Sequence, residues 1–153
     1  MWIETPRPPG PPDLISGLLP KRGQLMIAGE TEVGKSLLAL EIAASLLTGR
    51  PLWGSLVVNE RLARVLYILG EHDLDTLRGL WAVTELTAPA HALALIGSDS
   101  FPAHHLVADG APNQEAIQQV RASVQGAGLV VFDPLAAFIR GAGAENDNVQ
   151  MRL

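Results

Sequence analysis

Cysteine is absent from the chain. Disulfides, thiolate catalysis and Cys-ligated zinc are thereby excluded, and the absence fits a cytosolic protein without requiring one. Long apolar runs are missing too: no stretch approaches the roughly 18 uninterrupted apolar residues of a membrane-spanning helix. The N-terminus carries prolines where a secretory leader needs an apolar core. The expectation is a soluble, cytoplasmic protein with no membrane partner. A basic surplus is also lacking. The formal net charge of −5 excludes a wholly basic coat for nucleic acid and leaves only a local basic groove as a means of contact. His104 and His105 are adjacent, so in extended chain they point to opposite faces, and no third ligand stands at metal spacing.

What is present is a chain of 153 residues, 48% hydrophobic, long enough for one domain with a real core. Residues 1–12 read as a flexible arm, because Thr5-Pro6-Arg7-Pro8-Pro9-Gly10-Pro11-Pro12 cannot be helical. Residues 13–153 read as the domain. Its organising stretch is Gly29-Glu30-Thr31-Glu32-Val33-Gly34-Lys35-Ser36, which fits G-x-x-x-x-G-K-[ST], the phosphate-binding loop. Glycines let the backbone wrap closely enough for successive N–H groups to point at one phosphate chain. Lys35 then reaches the β/γ-phosphates and Ser36 ligates Mg²⁺.

The context of the loop agrees with that chemistry. Leu25-Met26-Ile27-Ala28 before it reads as a strand buried on both faces of a parallel sheet. Ser36 to Leu47 after it reads as a helix, apolar nearly all round, with Gly49 at its C′ position and Pro51 as a stop. The N-terminus of that helix faces the phosphates, where its dipole and unpaired N–H groups favour an anion.

Along the rest of the chain, Asp13 to Pro20 is a short apolar piece expected at the sheet edge, and Lys21-Arg22-Gly23 a solvated basic turn. Trp53 to Val58 predicts a small strand and Arg64 to Leu69 a core strand. Glu71 lies just past that core strand, at the sheet edge where open α/β folds bind ligands. Asp73 caps a predicted helix to about Thr87, with Leu74, Leu77 and Trp81 on one face; Trp81 reads as core. A third strand is predicted near Ala92 to Ile96. Gly97 to Pro112 reads as loop with one short strand at most. Asn113 caps a helix presenting Ile117, Val120 and Val124, which Gly126-Ala127-Gly128 ends. Leu129-Val130-Val131-Phe132 is a second buried parallel strand that delivers Asp133 to the same edge.

Lys35, Ser36, Glu71 and Asp133 thus converge on one site. Phosphoryl transfer to water requires the γ-phosphate to be held, its charge neutralised by lysine and Mg²⁺, and a water oriented by a carboxylate. Asp133 takes the metal through its water shell. Pro134 follows it, so the Asp-Glu pair of many ATPases is absent and Glu71 is the candidate general base. The competing reading of Glu71 is a surface or helix-capping acid.

In order along the chain, Asp13-Leu14-Ile15 with Gly17-Leu18-Leu19-Pro20, the loop, Thr48 to Gly54, Val65-Leu66-Tyr67-Ile68 with Glu71, and Leu129 to Leu135 resemble the RecA-like ATPases, within them the RepA-type plasmid helicase family. Glu71-His72-Asp73-Leu74-Asp75 is similar to the RecA segment carrying the catalytic glutamate, and Glu145-Asn146-Asp147-Asn148 resembles the start of the family's next helix. The resemblance implies a three-layer α/β sandwich with a mainly parallel sheet. It also implies a homo-oligomeric, often hexameric, motor that couples ATP hydrolysis to movement on single-stranded DNA. Two departures stand out. Glu30 and Glu32 place acids in a loop meant for a polyanion, and the chain stops about twenty residues after Asp133, where the family continues. The expectation is the N-terminal part of such a core. A nucleotide-dependent switch or loader with little hydrolysis, and a P-loop kinase, are the other classes in view.

Overall fold

The computed structural model describes residues 12–30, 32–70, 74–83, 92–97, 106–108 and 110–140. The proline-rich arm before residue 12, the Asp73 cap, the helix end near Thr87, His104-His105 and Glu145 to Asn148 lie outside the described residues.

The chain enters through a hairpin of β1 (Asp13–Ile15) and β2 (Leu19–Pro20), turned at Gly17, whose φ of 70° suits a residue without Cβ. The Gly17 N–H donates to the Asp13 carboxylate at 2.8 Å. Residues 57–59 fasten this hairpin: the Ser16 N–H donates to the Val57 carbonyl at 3.0 Å and the Asn59 N–H to the Leu14 carbonyl at 2.9 Å. Leu14, Ile15 and Leu19 pack into one core with Ile42, Leu46 and Val65. The basic turn is exposed, and Lys21 is ion-paired with Glu60.

Helix α1 (Lys35–Thr48) agrees with its sequence signals. Gly49 ends it at φ 78°, its N–H donating to the Ser45 carbonyl at 2.8 Å. Residues Ala39, Leu40 and Ile42 to Leu47 are buried. The helix is enclosed because the sheet takes one side and the β1–β2 hairpin another.

The central sheet holds three parallel strands, β3 (Val65–Leu69), β4 (Leu93–Ile96) and β7 (Leu129–Asp133), in the order β4-β3-β7. Every residue of β3 is buried, as a middle strand covered on both faces requires. Tyr67 and Leu69 pack with Ala39, Leu40 and Leu77 of α2 (Leu74–Val83), and Trp81 of α2 joins that core. Leu66 and Ile68 face the other way, against Phe138, Val120 and Val124. Val120 belongs to α3 (Gln114–Ser123), which Asn113 caps by accepting the Ala116 N–H at 3.3 Å. Helices therefore cover both faces, and the architecture is the three-layer α/β sandwich of a P-loop core.

Three expectations are corrected. Leu25 to Ala28 is not a strand of the sheet: the segment has no ladder partner among the described residues, and Leu25 and Met26 are 39% and 77% exposed. A cleft separates it from β7, and a strand without a neighbour leaves its backbone groups to water. Trp53 to Ser55 is a turn, closed by a bridge between Leu52 and Leu56, with Trp53 and Gly54 at φ 51° and 70°. The segment read as loop before Asn113 contains a small hairpin, β5 (Val107–Ala108) with β6 (Ala111–Pro112), and β5 also pairs with β8 (Ile139–Arg140).

Gly70 sets how closely the ends of β3 and β7 approach. Its N–H donates to the Asp133 carbonyl at 2.9 Å. A Cβ there would lie 2.4 Å from the Ala137 Cβ and 3.2 Å from the Phe138 ring, in the short 3₁₀ turn Leu135–Phe138. Gly70→Ala is expected to destabilise the protein by about 1–3 kcal/mol through overpacking. Chemical denaturation checks this, and Gly79→Ala in α2, where a Cβ meets nothing within 4 Å, is the control expected to cost nothing.

Candidate nucleotide-binding site

The loop between Gly29 and Ser36 is shaped by backbone conformations that side chains seldom adopt. Glu32 and Gly34 stand at φ 63° and 86°. Gly34 supplies the left-handed turn without steric cost, whereas Glu32 holds it as a strained non-glycine residue, at a cost of about 1–3 kcal/mol. A Cβ on Gly29 would sit 3.3 Å from the Val33 side chain, which shows how tightly the loop closes on itself.

Lys35 ties that curl together. Its ammonium donates to the carbonyl oxygens of Gly29, at 3.1 Å, and of Glu30. Helix α1 begins at Lys35 with Gly34 as N-cap, no side chain caps it, and its first turn holds no acid. Its leading N–H groups are thus left for an incoming acceptor, and an anion is what a helix N-terminus favours. Glu30, Glu32 and Val33 are exposed at the loop surface. Thr31 lies outside the described residues.

Asp133 comes from the other side of the sheet order. It is the last residue of β7, half-buried, and stands beside Leu69 of β3. Its Oδ2 accepts the Tyr67 phenol O–H at 2.5 Å. The Ser36 hydroxyl lies close enough to the same phenol to act on its ionisation. Ser36 and Asp133, separated by nearly a hundred positions of sequence, are therefore brought to the surroundings of one buried tyrosine. Lys35 and Asp133 both line a cleft of about 470 Å³ that runs between residues 23–27 and β7. Glu71 follows Gly70 at the C-terminal end of β3 but lies outside the described residues. Among the described residues, no three or more His, Cys, Asp or Glu side chains cluster as a metal site, and no helix is long and apolar enough to cross a membrane.

Tyr67 is the residue that pattern reading passed over. A signal was present: it is a lone hydroxyl in the middle of an otherwise aliphatic buried strand, and a buried tyrosine O–H needs a partner. Burial, then the hydrogen bond to Asp133 and the charge of that carboxylate, push the phenol well above the ordinary tyrosine pKa of 10.0; Ser36 acts in the opposite direction and is outweighed.

A parallel α/β sheet whose loop-and-helix N-terminus is open to an anion defines a P-loop nucleotide-binding protein. A family model described as AAA domain matches residues 1–153, and the chain belongs to that family of P-loop ATPases. The match speaks for ATPase-type nucleotide binding and is silent on a RepA-type subdivision. No curated protein and no solved structure gives a significant match.

The tyrosine makes the pH response specific. The folded protein keeps the Tyr67 proton at a pH where the unfolded chain releases it, so this contribution to stability is complete below about pH 10 and is lost as pH rises beyond that value. The chain has one tyrosine, so ultraviolet phenolate absorbance reports on this residue alone. Phenolate is expected to appear only together with loss of helical circular dichroism; ionisation of the folded protein near pH 10 would contradict the buried contact.

Proposed function

We propose that the chain is the ATP-binding and ATP-hydrolysing part of a RecA/RepA-type motor, working in a DNA helicase or replication protein. The observation that carries this reading is the convergence of the open α1 N-terminus, bearing Lys35 and Ser36, with Asp133 at the end of β7. Backbone N–H groups of Gly29 to Ser36 hold the phosphates, and Lys35 exchanges its own-loop carbonyls for β/γ-phosphate oxygens. A hydroxyl and a carboxylate are hard oxygen donors, the kind Mg²⁺ takes, so Ser36 and Asp133 fit that ion. When bound, Mg²⁺ neutralises charge that develops on the phosphates. Glu71, next in sequence to Gly70 at the same strand end, orients and deprotonates the attacking water.

The rest of the reading rests on the resemblance to RepA-type helicases: assembly into a homo-oligomer such as a hexamer, and single-stranded DNA as the partner that stimulates turnover. An arginine or lysine from a neighbouring copy can stabilise the transition state in such assemblies, and its absence costs several orders of magnitude in rate. The isolated chain is accordingly expected to bind ATP better than it hydrolyses it.

Lys35→Ala is expected to weaken ATP binding at least about tenfold, the loss of one charge-assisted phosphate contact; unchanged affinity in a fluorescent-nucleotide titration would sink the loop assignment. Glu71→Gln is expected to keep ATP binding and abolish turnover. Normal hydrolysis by that variant removes Glu71 as the base. Steady-state ATPase rates with and without single-stranded DNA test the motor: stimulation supports it, and indifference to DNA argues for a protein-directed switch.

A further inference from the structure

The Tyr67 side chain is fully buried, on the middle strand of the sheet, and its O–H donates to Asp133 at the end of the neighbouring strand, with the Ser36 hydroxyl of α1 nearby. A phenol has one donor and two acceptor positions. An ionised carboxylate only accepts, so the Tyr67 O–H is committed to Asp133.

Satisfying a buried tyrosine needs only one partner, and leaving it unsatisfied costs about 1–3 kcal/mol. Core filling needs no hydroxyl at all, as Val65 and Leu69 on the same face of β3 show. The phenol instead holds the strand-end carboxylate, one of the two oxygen donors that the nucleotide reading assigns to one ion. We propose that Tyr67 is a positioning residue for the metal–nucleotide site, its buried phenol fixing the Asp133 carboxylate so that it faces the Mg²⁺ that the Ser36 hydroxyl also serves. The inference rests on the assignment of Ser36 and Asp133 as the Mg²⁺-side residues.

The geometry explains why the job falls to β3. Tyr67 stands opposite Val131, two residues before Asp133 on the neighbouring strand, so its side chain leans diagonally toward the carboxylate on the face that α1 covers. The ring is clamped by Ala39, Leu40 and Leu77, which leaves the oxygen little freedom. Groups that orient metal ligands from behind in this way change metal affinity by about 10–100-fold when removed.

Tyr67→Phe keeps the ring and deletes the oxygen that holds Asp133. A fluorescent ATP analogue titrated in chelator and across a Mg²⁺ series separates the two roles. Binding without Mg²⁺ is expected to equal that of the unaltered protein, while the Mg²⁺ concentration that gives half of the metal-dependent gain rises about tenfold. A purely structural tyrosine would lower the melting temperature of the variant and leave that concentration where it was, which overturns the proposal. Asp133→Asn is run beside it. If the unaltered protein binds no ATP, or if Asp133→Asn leaves the Mg²⁺ requirement unchanged, the site assignment falls and the inference falls with it. If Asp133→Asn raises the requirement and Tyr67→Phe does not, only the inference falls.

A second measurement needs no folded Phe variant. The single tyrosine of the chain, replaced biosynthetically by 3-fluorotyrosine, gives one ¹⁹F resonance. It is expected to shift when Mg²⁺ is added to the ATP-bound protein. A resonance indifferent to Mg²⁺ overturns the proposal.

Discussion

The register between β3 and β7 is the constraint on which the site depends. Leu69 stands beside Asp133 and Ile68 beside Phe132, so the side chains alternate cleanly between two cores. Tyr67, Leu69 and Val131 meet α1 and α2, while Leu66, Ile68, Val130 and Phe132 meet the opposite layer around Phe138. A slip of one residue would exchange the two sets. Asp133 would then enter the apolar cluster where the Phe132 and Phe138 rings now meet edge to face at 5.4 Å. An unpaired carboxylate there costs several kcal/mol, more than any single aliphatic contact returns. The same alternation that builds the core thus presents Asp133 to Tyr67 and denies it other placements.

Close approach at the strand ends follows from that register. Gly70 leaves β3 bonded to the Asp133 carbonyl and pressed against Ala137, so the chain after β7 folds back over Gly70. This brings two sequence-distant strand ends to one edge, where parallel sheets hold their ligands. The glycine is needed for space and not for an unusual φ, which distinguishes it from Gly34 and Gly49 at the two ends of α1.

Much of this was legible because its signals are local. The α1 boundaries follow from Gly34 and Gly49, the α3 start from Asn113, and β3 and β7 from short apolar runs ending at Gly70 and Asp133. Where expectation failed, the deciding partner was not local. Leu25 to Ala28 has strand composition, but a strand requires a ladder neighbour, and among the described residues none pairs with it. Trp53 to Val58 is rich in strand-forming residues, yet Gly54 and a left-handed Trp53 reverse the chain, and the Trp53 indole N–H is held by Glu41 at 2.6 Å, a contact no pattern encodes. The hairpin β5–β6 reverses next to Gly110, which stands at φ 76°. Tyr67 was hidden differently: its type suggests a polar partner, and only the register identifies Asp133 as that partner.

The acids of the loop pose a question that magnitudes answer. Glu30 and Glu32 are exposed, so their repulsion of a phosphate acts through water, where unit charges at about 4 Å exchange only about 1 kcal/mol. Opposing them are the Lys35 ammonium and the uncapped N–H groups of α1, each a charge-assisted contact worth about 1.5–3 kcal/mol. The carboxylates therefore trim the attraction without reversing it. Their more consequential effect is on the loop backbone. Glu32 holds a left-handed φ that a glycine would adopt freely, and Lys35 clasps the Gly29 and Glu30 carbonyls across the curl. A phosphate chain that draws the lysine away removes that clasp, so binding exchanges an internal contact for an external one while the Gly34 turn and the α1 N-terminus, anchored by the buried remainder of the helix, stay in place.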